Sequence, residues 1–159
     1  MNIQLLEAAE KDKTVIENLL QFYIYDFSEY MSLDVKDDGK FASYPQLESY
    51  WTESNKFPYI IKAEDKYAGF VLVKLVSNAD SAYFSMAEFF ILKKFRLSGI
   101  GKSIAFRVFE LHKGQWEIFQ RNSNKPAQLF WRKVIHEYSG GKFSEHAEEG
   151  KQVQRFVSL

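Results

Sequence analysis

The sequence contains no cysteine. Disulfides, thiolate nucleophiles and cysteine-held zinc are thereby excluded, and a reducing compartment fits, so a cytoplasmic protein is expected. Histidine is nearly as scarce. His112, His136 and His146 are scattered and form no HExxH pair, so no metal is expected. Nothing approaches the ~18 consecutive apolar residues of a membrane-spanning helix. The first ten residues have neither the basic start nor the long apolar core of a signal peptide. Net charge is absent too: 21 Lys+Arg balance 21 Asp+Glu, which removes the long-range attraction that nucleic-acid binding needs. No repeat, low-complexity segment or linker is visible, so residues 1–159 are expected to form a single domain.

What charge there is lies unevenly. Residues 1–85 carry 8 basic and 14 acidic side chains, a balance of −6, and residues 86–159 carry 13 and 7, a balance of +6. Such halves suit one cationic and one anionic ligand; they equally suit a chance segregation of solvated charges.

The apolar pattern divides the chain into eleven elements. Residues 2–8 read as a strand. Asp12 or Thr14 can cap the helix that follows, whose apolar stripe runs Val15, Ile16, Leu19, Leu20, Tyr23, Ile24 and Phe27. A polar loop over 34–40 leads to Pro45, which can open a second helix over 46–53. The period then changes from helical to alternating: strands over 59–63 and 68–76 flank a hairpin at Glu64-Asp65-Lys66, and a third strand covers 83–92. A helix after Gly101 runs to Gly114, a short strand spans 116–120, and Pro126 starts another helix that Gly140-Gly141 ends. Two strands, 142–146 and 152–157, close the chain. The order β-α-α-β-β-β-α-β-α-β-β predicts an α+β (mixed α/β) fold built on a largely antiparallel sheet.

The most informative stretch is Phe89-Phe90-Ile91-Leu92-Lys93-Lys94-Phe95-Arg96-Leu97-Ser98-Gly99-Ile100-Gly101-Lys102-Ser103. A buried strand enters a turn with two glycines, and a helix starts at once. Such a turn brings bare backbone N–H groups and a positive helix end to an anion. A P-loop would need glycine where Arg96 stands, and a dinucleotide fingerprint would need glycine where Ile104 stands. Both fail. Arg96-Leu97-Ser98-Gly99-Ile100-Gly101 instead resembles R/Q-x-x-G-x-G/A, the pyrophosphate-binding turn of the GNAT acetyltransferases. Downstream, Asn124-Lys125-Pro126-Ala127-Gln128-Leu129-Phe130-Trp131 resembles the N-x-x-A-x-x-ϕ-Y segment of the same family. The resemblance is specific over Glu88–Trp131 and architectural elsewhere.

The resemblance implies a GNAT fold with its twisted sheet flanked by helices, acetyl-CoA as co-substrate, and an amine acceptor. In the family the strand before the second motif splays from its neighbour and the coenzyme enters between them. Backbone groups of Phe90, Ile91 and Leu92 would then pair with the pantetheine. Arg96, Ser98, Gly99, Ile100, Gly101 and Lys102 would hold the pyrophosphate, and Asn124 and Trp131 would touch the coenzyme.

Proton transfer needs its own residues. Glu88 precedes Phe89 and Phe90, and apolar neighbours raise a carboxyl's pKa towards the range of a general base. Polyamine acetyltransferases carry acids in the same stretch. The alternative is a cross-strand charge pair on a wet face. The family often reprotonates the leaving thiolate with a tyrosine, but Trp131 stands there and has no transferable proton. Tyr138, about two helical turns later, is a candidate substitute; release of the thiolate to water is the other route. On the first helix, Tyr25, Asp26 and Tyr30 are candidates to hold a cationic amine, through ring contacts and charge.

These readings converge on acetyl transfer from acetyl-CoA to a primary amine, either a small molecule or a peptide N-terminus or lysine, by a monomer or homodimer. A second reading is an acyl-CoA-binding module without catalysis, which the tryptophan at 131 favours. A phosphate-binding nucleic-acid module is a third, and the neutral charge counts against it.

Overall fold

The computed structural model describes residues 1–159. Seven strands form one sheet: β1 (Ile3–Glu7), β2 (Lys56–Ala63), β3 (Lys66–Ser77), β4 (Ala82–Ile91), β5 (Gly114–Arg121), β6 (Phe143–Glu148) and β7 (Lys151–Ser158). Their spatial order is β1-β2-β3-β4-β5-β7-β6. Every neighbouring pair is antiparallel except β4 and β5, which run parallel. The four helices are α1 (Lys13–Phe27), α2 (Ser49–Thr52), α3 (Ile100–Leu111) and α4 (Lys125–Ser139). The β4–α3–β5 crossover is what makes that one pair parallel.

The predicted order of elements is the observed one, with two local differences. Residues 46–53 do not form one helix: Gln46 adopts a left-handed backbone (φ 55°), which no helix can start from, and only the single turn of α2 follows. Nor does Asp12 cap α1. A short 3₁₀ turn, Glu10–Asp12, precedes that helix, and the Asp12 carboxylate accepts the Ala9 amide instead (2.8 Å).

Each sheet face has its own core. α3 and α4 pack on one face, where Ile104, Ala105, Val108, Phe109, Trp116 and Ile135 are buried. α1 and α2 cover the other, burying Ile16, Leu19, Leu20, Tyr50, Phe70 and Phe90. The three- and four-residue spacing of Ile16, Leu19 and Leu20 gives α1 its stripe, and each such buried side chain is worth about 1.5–3 kcal/mol.

The feature that positions the site is where the sheet fails to close. β4 and β5 share only two aligned positions, Phe84 with Trp116 and Ser85 with Glu117. Just beyond them Ala87 is bulged: Leu72 of β3 lies opposite Glu88, while Val73 lies opposite Met86. A bulge bends its strand, and from there to Ile91 β4 has no partner on its β5 side.

A histidine secures the closed end of this gap. The Tyr59 hydroxyl and His112 Nε2 are 2.7 Å apart, and the His112 ring packs on Phe57 and Phe84. Trp116 Nε1 donates to the His112 carbonyl (2.8 Å). Burial lowers the His112 pKa, so the fold holds the neutral ring. Its contribution to stability is therefore complete above the ordinary histidine value of 6.5 and is lost as pH falls below it. Denaturant melts between pH 8 and 5 should show His112→Gln losing less stability on acidification than the parent. Equal losses would mean that the ring is not held neutral.

Candidate active site

β4 supplies one wall of the gap. The Leu92 amide donates to the Ala68 carbonyl (2.8 Å). Hydrogen-bonding groups alternate along a strand, so Phe90 and Glu88 also turn to β3, leaving the amides of Phe89 and Ile91 facing the gap. The Ile91 carbonyl is already taken, accepting from Arg96 Nε (2.7 Å). On the α4 side, Trp131 is buried with its ring edge-on to Phe89 (5.0 Å) and to Phe130 (4.9 Å). Asn124 ends the loop after β5, and its side chain caps α4 by accepting the Ala127 amide (3.2 Å). Gln128, buried one turn on, donates to the carbonyls of Arg121 and Asn122 and fixes that loop.

The glycine turn lies at the head of β4. Leu97 is fully exposed in a left-handed conformation, Ser98 Oγ donates back to the Phe95 carbonyl, and Gly99 (φ 82°) precedes the helix. The first amide of this turn to find a backbone partner inside the helix is that of Ser103, on Gly99 (3.1 Å). The amides of Ile100, Gly101 and Lys102 are the orphan donors of a helix start. A Cβ on Gly99 would meet nothing within 4 Å, whereas one on Gly101 would lie 3.1 Å from the Phe130 ring. Gly101 thus serves the close approach of α3 to α4 as well as the turn.

The basic side chains of this turn are engaged elsewhere. Lys102 Nζ pairs with Glu137 of α4 (3.0 Å). Arg96 reaches across to α1, pairing with Asp26 (2.5 Å) beneath a guanidinium contact with the Phe90 ring, and Lys93 approaches the same carboxylate (3.8 Å). Asp26, expected to hold an amine, is therefore already neutralised by two cations. Tyr25 is exposed beside an outer groove formed with Phe22, Leu33 and Val35. Tyr30 is half-buried, and its carbonyl accepts from Ser123 Oγ in the loop after β5 (3.4 Å).

Glu88 points to the α1–α2 side and forms no ion pair. The Tyr44 hydroxyl donates to its Oε1 (3.2 Å), and the Tyr23 hydroxyl lies beside the same carboxylate. Burial raises the Glu88 pKa above the usual carboxylate range; the two tyrosine donors and the charge of Lys74 oppose the rise without cancelling it. Burial likewise raises Tyr23, Tyr44 and Tyr50, the last to about 12, with Glu88 adding to each. All three phenols are therefore protonated donors near neutral pH. The wet charge pair considered for Glu88 is not what the fold builds.

An unpaired strand edge, a helix start with bare amides and a carboxylate of raised pKa thus meet at one splayed junction. The model of the acetyltransferase (GNAT) family matches residues 14–136. The chain belongs to this family.

No curated protein matches the chain. Solved structures of GNAT acetyltransferases match its fold throughout. An acetyltransferase of Staphylococcus aureus superimposes with TM-score 0.68 at 18% identity, covering 99% of this chain and 100% of its own. The PaiA N-acetyltransferase of Thermoplasma acidophilum, in complex with coenzyme A, gives 0.65 at 12% identity over 99% of both chains. A chimera of the spermidine N-acetyltransferase SpeG from Vibrio cholerae and hSSAT gives 0.63 at 13%, over 99% of this chain and 96% of its own.

As a GNAT acyltransferase the chain departs from expectation at its acid. Tyr138 does not reach the gap. It sits by the C-terminal end of α3, bonded to Glu110 and Ser158 and packed on Phe106 and Phe109. The twelve residues of α3 separate that end from the glycine turn, roughly 18 Å of helix. In this fold Tyr138 is packed and anchored at that end. The residues that do surround Glu88, Tyr23 and Tyr44, were missed: Tyr23 fits the apolar stripe of α1, and Tyr44 lies in a loop with no period to read.

Proposed function

We propose that this acetyltransferase transfers the acetyl group of acetyl-CoA to a primary amine of a small acceptor, with Glu88 as general base. The observation that carries the reading is a half-buried carboxylate of raised pKa, held by tyrosines where β4 leaves β5. Three features fit the co-substrate: bare amides at the start of α3, an open φ 82° position at Gly99, and Phe89 and Ile91 amides facing the gap. When bound, acetyl-CoA supplies a thioester carbonyl as electrophile.

The chain's own part is then as follows. Glu88 takes one proton from the acceptor ammonium, leaving a neutral nitrogen with a free electron pair for attack on the carbonyl carbon. A gap-facing β4 amide donates to the oxygen as it gains charge. As the C–N bond forms and the C–S bond breaks, the nitrogen gives up its second proton to water, and the thiolate also leaves to water, since neither Trp131 nor Tyr138 supplies a proton there. Arg96 acts here through the shape of the turn, and Asp26 through holding Arg96; Tyr25 and Tyr30 remain candidates for the outer acceptor wall. The reaction is placed in the cytoplasm, in keeping with a cysteine-free chain.

Acetyl-CoA turnover against small amines, peptide N-termini and lysine peptides tests the reading. Turnover with a small amine is expected. Binding of coenzyme A without turnover on any amine would establish the non-catalytic acyl-CoA-binding reading, which Trp131 favours by lacking a transferable proton.

A further inference from the structure

Tyr44 lies in the segment between α1 and α2, 44 residues before the carboxylate that its hydroxyl meets. It is the one long-range side-chain hydrogen bond joining that segment to β4, and the ring is half-buried against the α1–α2 core. The remaining charged or titratable groups beside Glu88 are Tyr23 from α1, Tyr50 of α2 and Lys74 from β3. Tyr44 thus meets one oxygen of the carboxylate, Oε1, from the segment between α1 and α2.

We propose that Tyr44 is a positioning residue for the transfer: by donating to Oε1 it fixes the orientation in which the Glu88 carboxylate takes the acceptor's proton. This rests on the assignment of Glu88 as base. The same bond ties the acceptor-side segment to the cofactor strand, so the base is held in place only when that segment is docked. A donor to a carboxylate also favours its ionised form. Removing it leaves burial less opposed, and Glu88 then protonates at higher pH. Since the base works as carboxylate, activity fails earlier on acidification.

The test is the pH profile of kcat/KM for the amine acceptor in the full chain, for Tyr44→Phe and Glu88→Gln side by side. Tyr44→Phe keeps the ring and should fold. Its kcat should fall roughly ten-fold, as befits a hydrogen bond to a charged group, with the KM for acetyl-CoA unchanged and the acidic limb moved to higher pH. Incorporating 3-fluorotyrosine at position 44, a stronger donor of nearly the same size, should move the limb to lower pH. This opposite shift tests the idea even where the Phe variant is poorly folded. If Glu88→Gln abolishes the limb but neither change at 44 moves it, Glu88 stands as base and Tyr44 only packs, which overturns the proposal. If the limb survives in Glu88→Gln, the base assignment falls and this proposal falls with it.

Discussion

Replacing Glu88 with glutamine should lower turnover by ~10²-fold or more while leaving coenzyme A affinity nearly intact and making the protein more stable at neutral pH. The two effects share one cause. Burial raises the Glu88 pKa above 4.5, the value it would have unfolded, so the fold disfavours the carboxylate. A group raised in this way contributes stability in full below the unfolded value and loses it as pH rises through the folded one. Ionised Glu88 is therefore a partly desolvated charge that forms no ion pair, a cost the fold bears and the unfolded chain does not. Glutamine is close in shape, still accepts from Tyr44, and carries no charge. The stability advantage of the variant should vanish in acid, grow as pH rises from 4.5 through the raised pKa, and level off above it. Parallel melts across pH, compared with single-turnover rates, would show both. A glutamine variant with parental turnover would make Glu88 structural. One that is less stable at pH 7 would mean that the tyrosine donors more than offset the cost of burial.

This conflict between stability and function also explains what the sequence could show. The order of strands and helices was legible because each core position follows from a period, and a buried face needs a regular apolar repeat. The glycine turn was legible because a tight turn needs particular residues at fixed spacing. The base was half legible: Glu88 among phenylalanines signals desolvation, but not what relieves it. Tyr44 lies 44 residues away in a loop, and Arg96 meets Asp26 across 70 residues. No local pattern links such pairs; only the fold brings them together. For this reason the charge of Asp26 did not show its pairing with Arg96, nor the helix position of Tyr138 its bonds to Glu110 and Ser158. Helical spacing places a side chain on a face but does not say to which end of a neighbouring helix that face is opposed.

Gly99→Asp should weaken coenzyme A binding by ~10²-fold while the protein remains folded. Position 99 is a better probe of the turn than Gly101, whose absent side chain makes room for the Phe130 ring. At Gly99 an added Cβ meets nothing, and the demand is only on the backbone, at φ 82°. Aspartate and asparagine are the residues that best tolerate that region after glycine, with a cost of roughly 1–2 kcal/mol. Gly99→Asn therefore carries the same shape and a similar backbone cost without the charge. A carboxylate within about 4 Å of a pyrophosphate charge costs ~1 kcal/mol in water and ~4 kcal/mol in a partly buried setting. Each 1.4 kcal/mol is about ten-fold in affinity. Calorimetric titration of coenzyme A should find the Asn variant close to the parent and the Asp variant far weaker, with the gap narrowing at high salt as exposed charges are screened. Equal losses in both variants would mean that the backbone at 99, not charge, governs the site. Affinity untouched by aspartate would mean that the phosphates bind elsewhere, leaving the bare amides of α3 without a ligand.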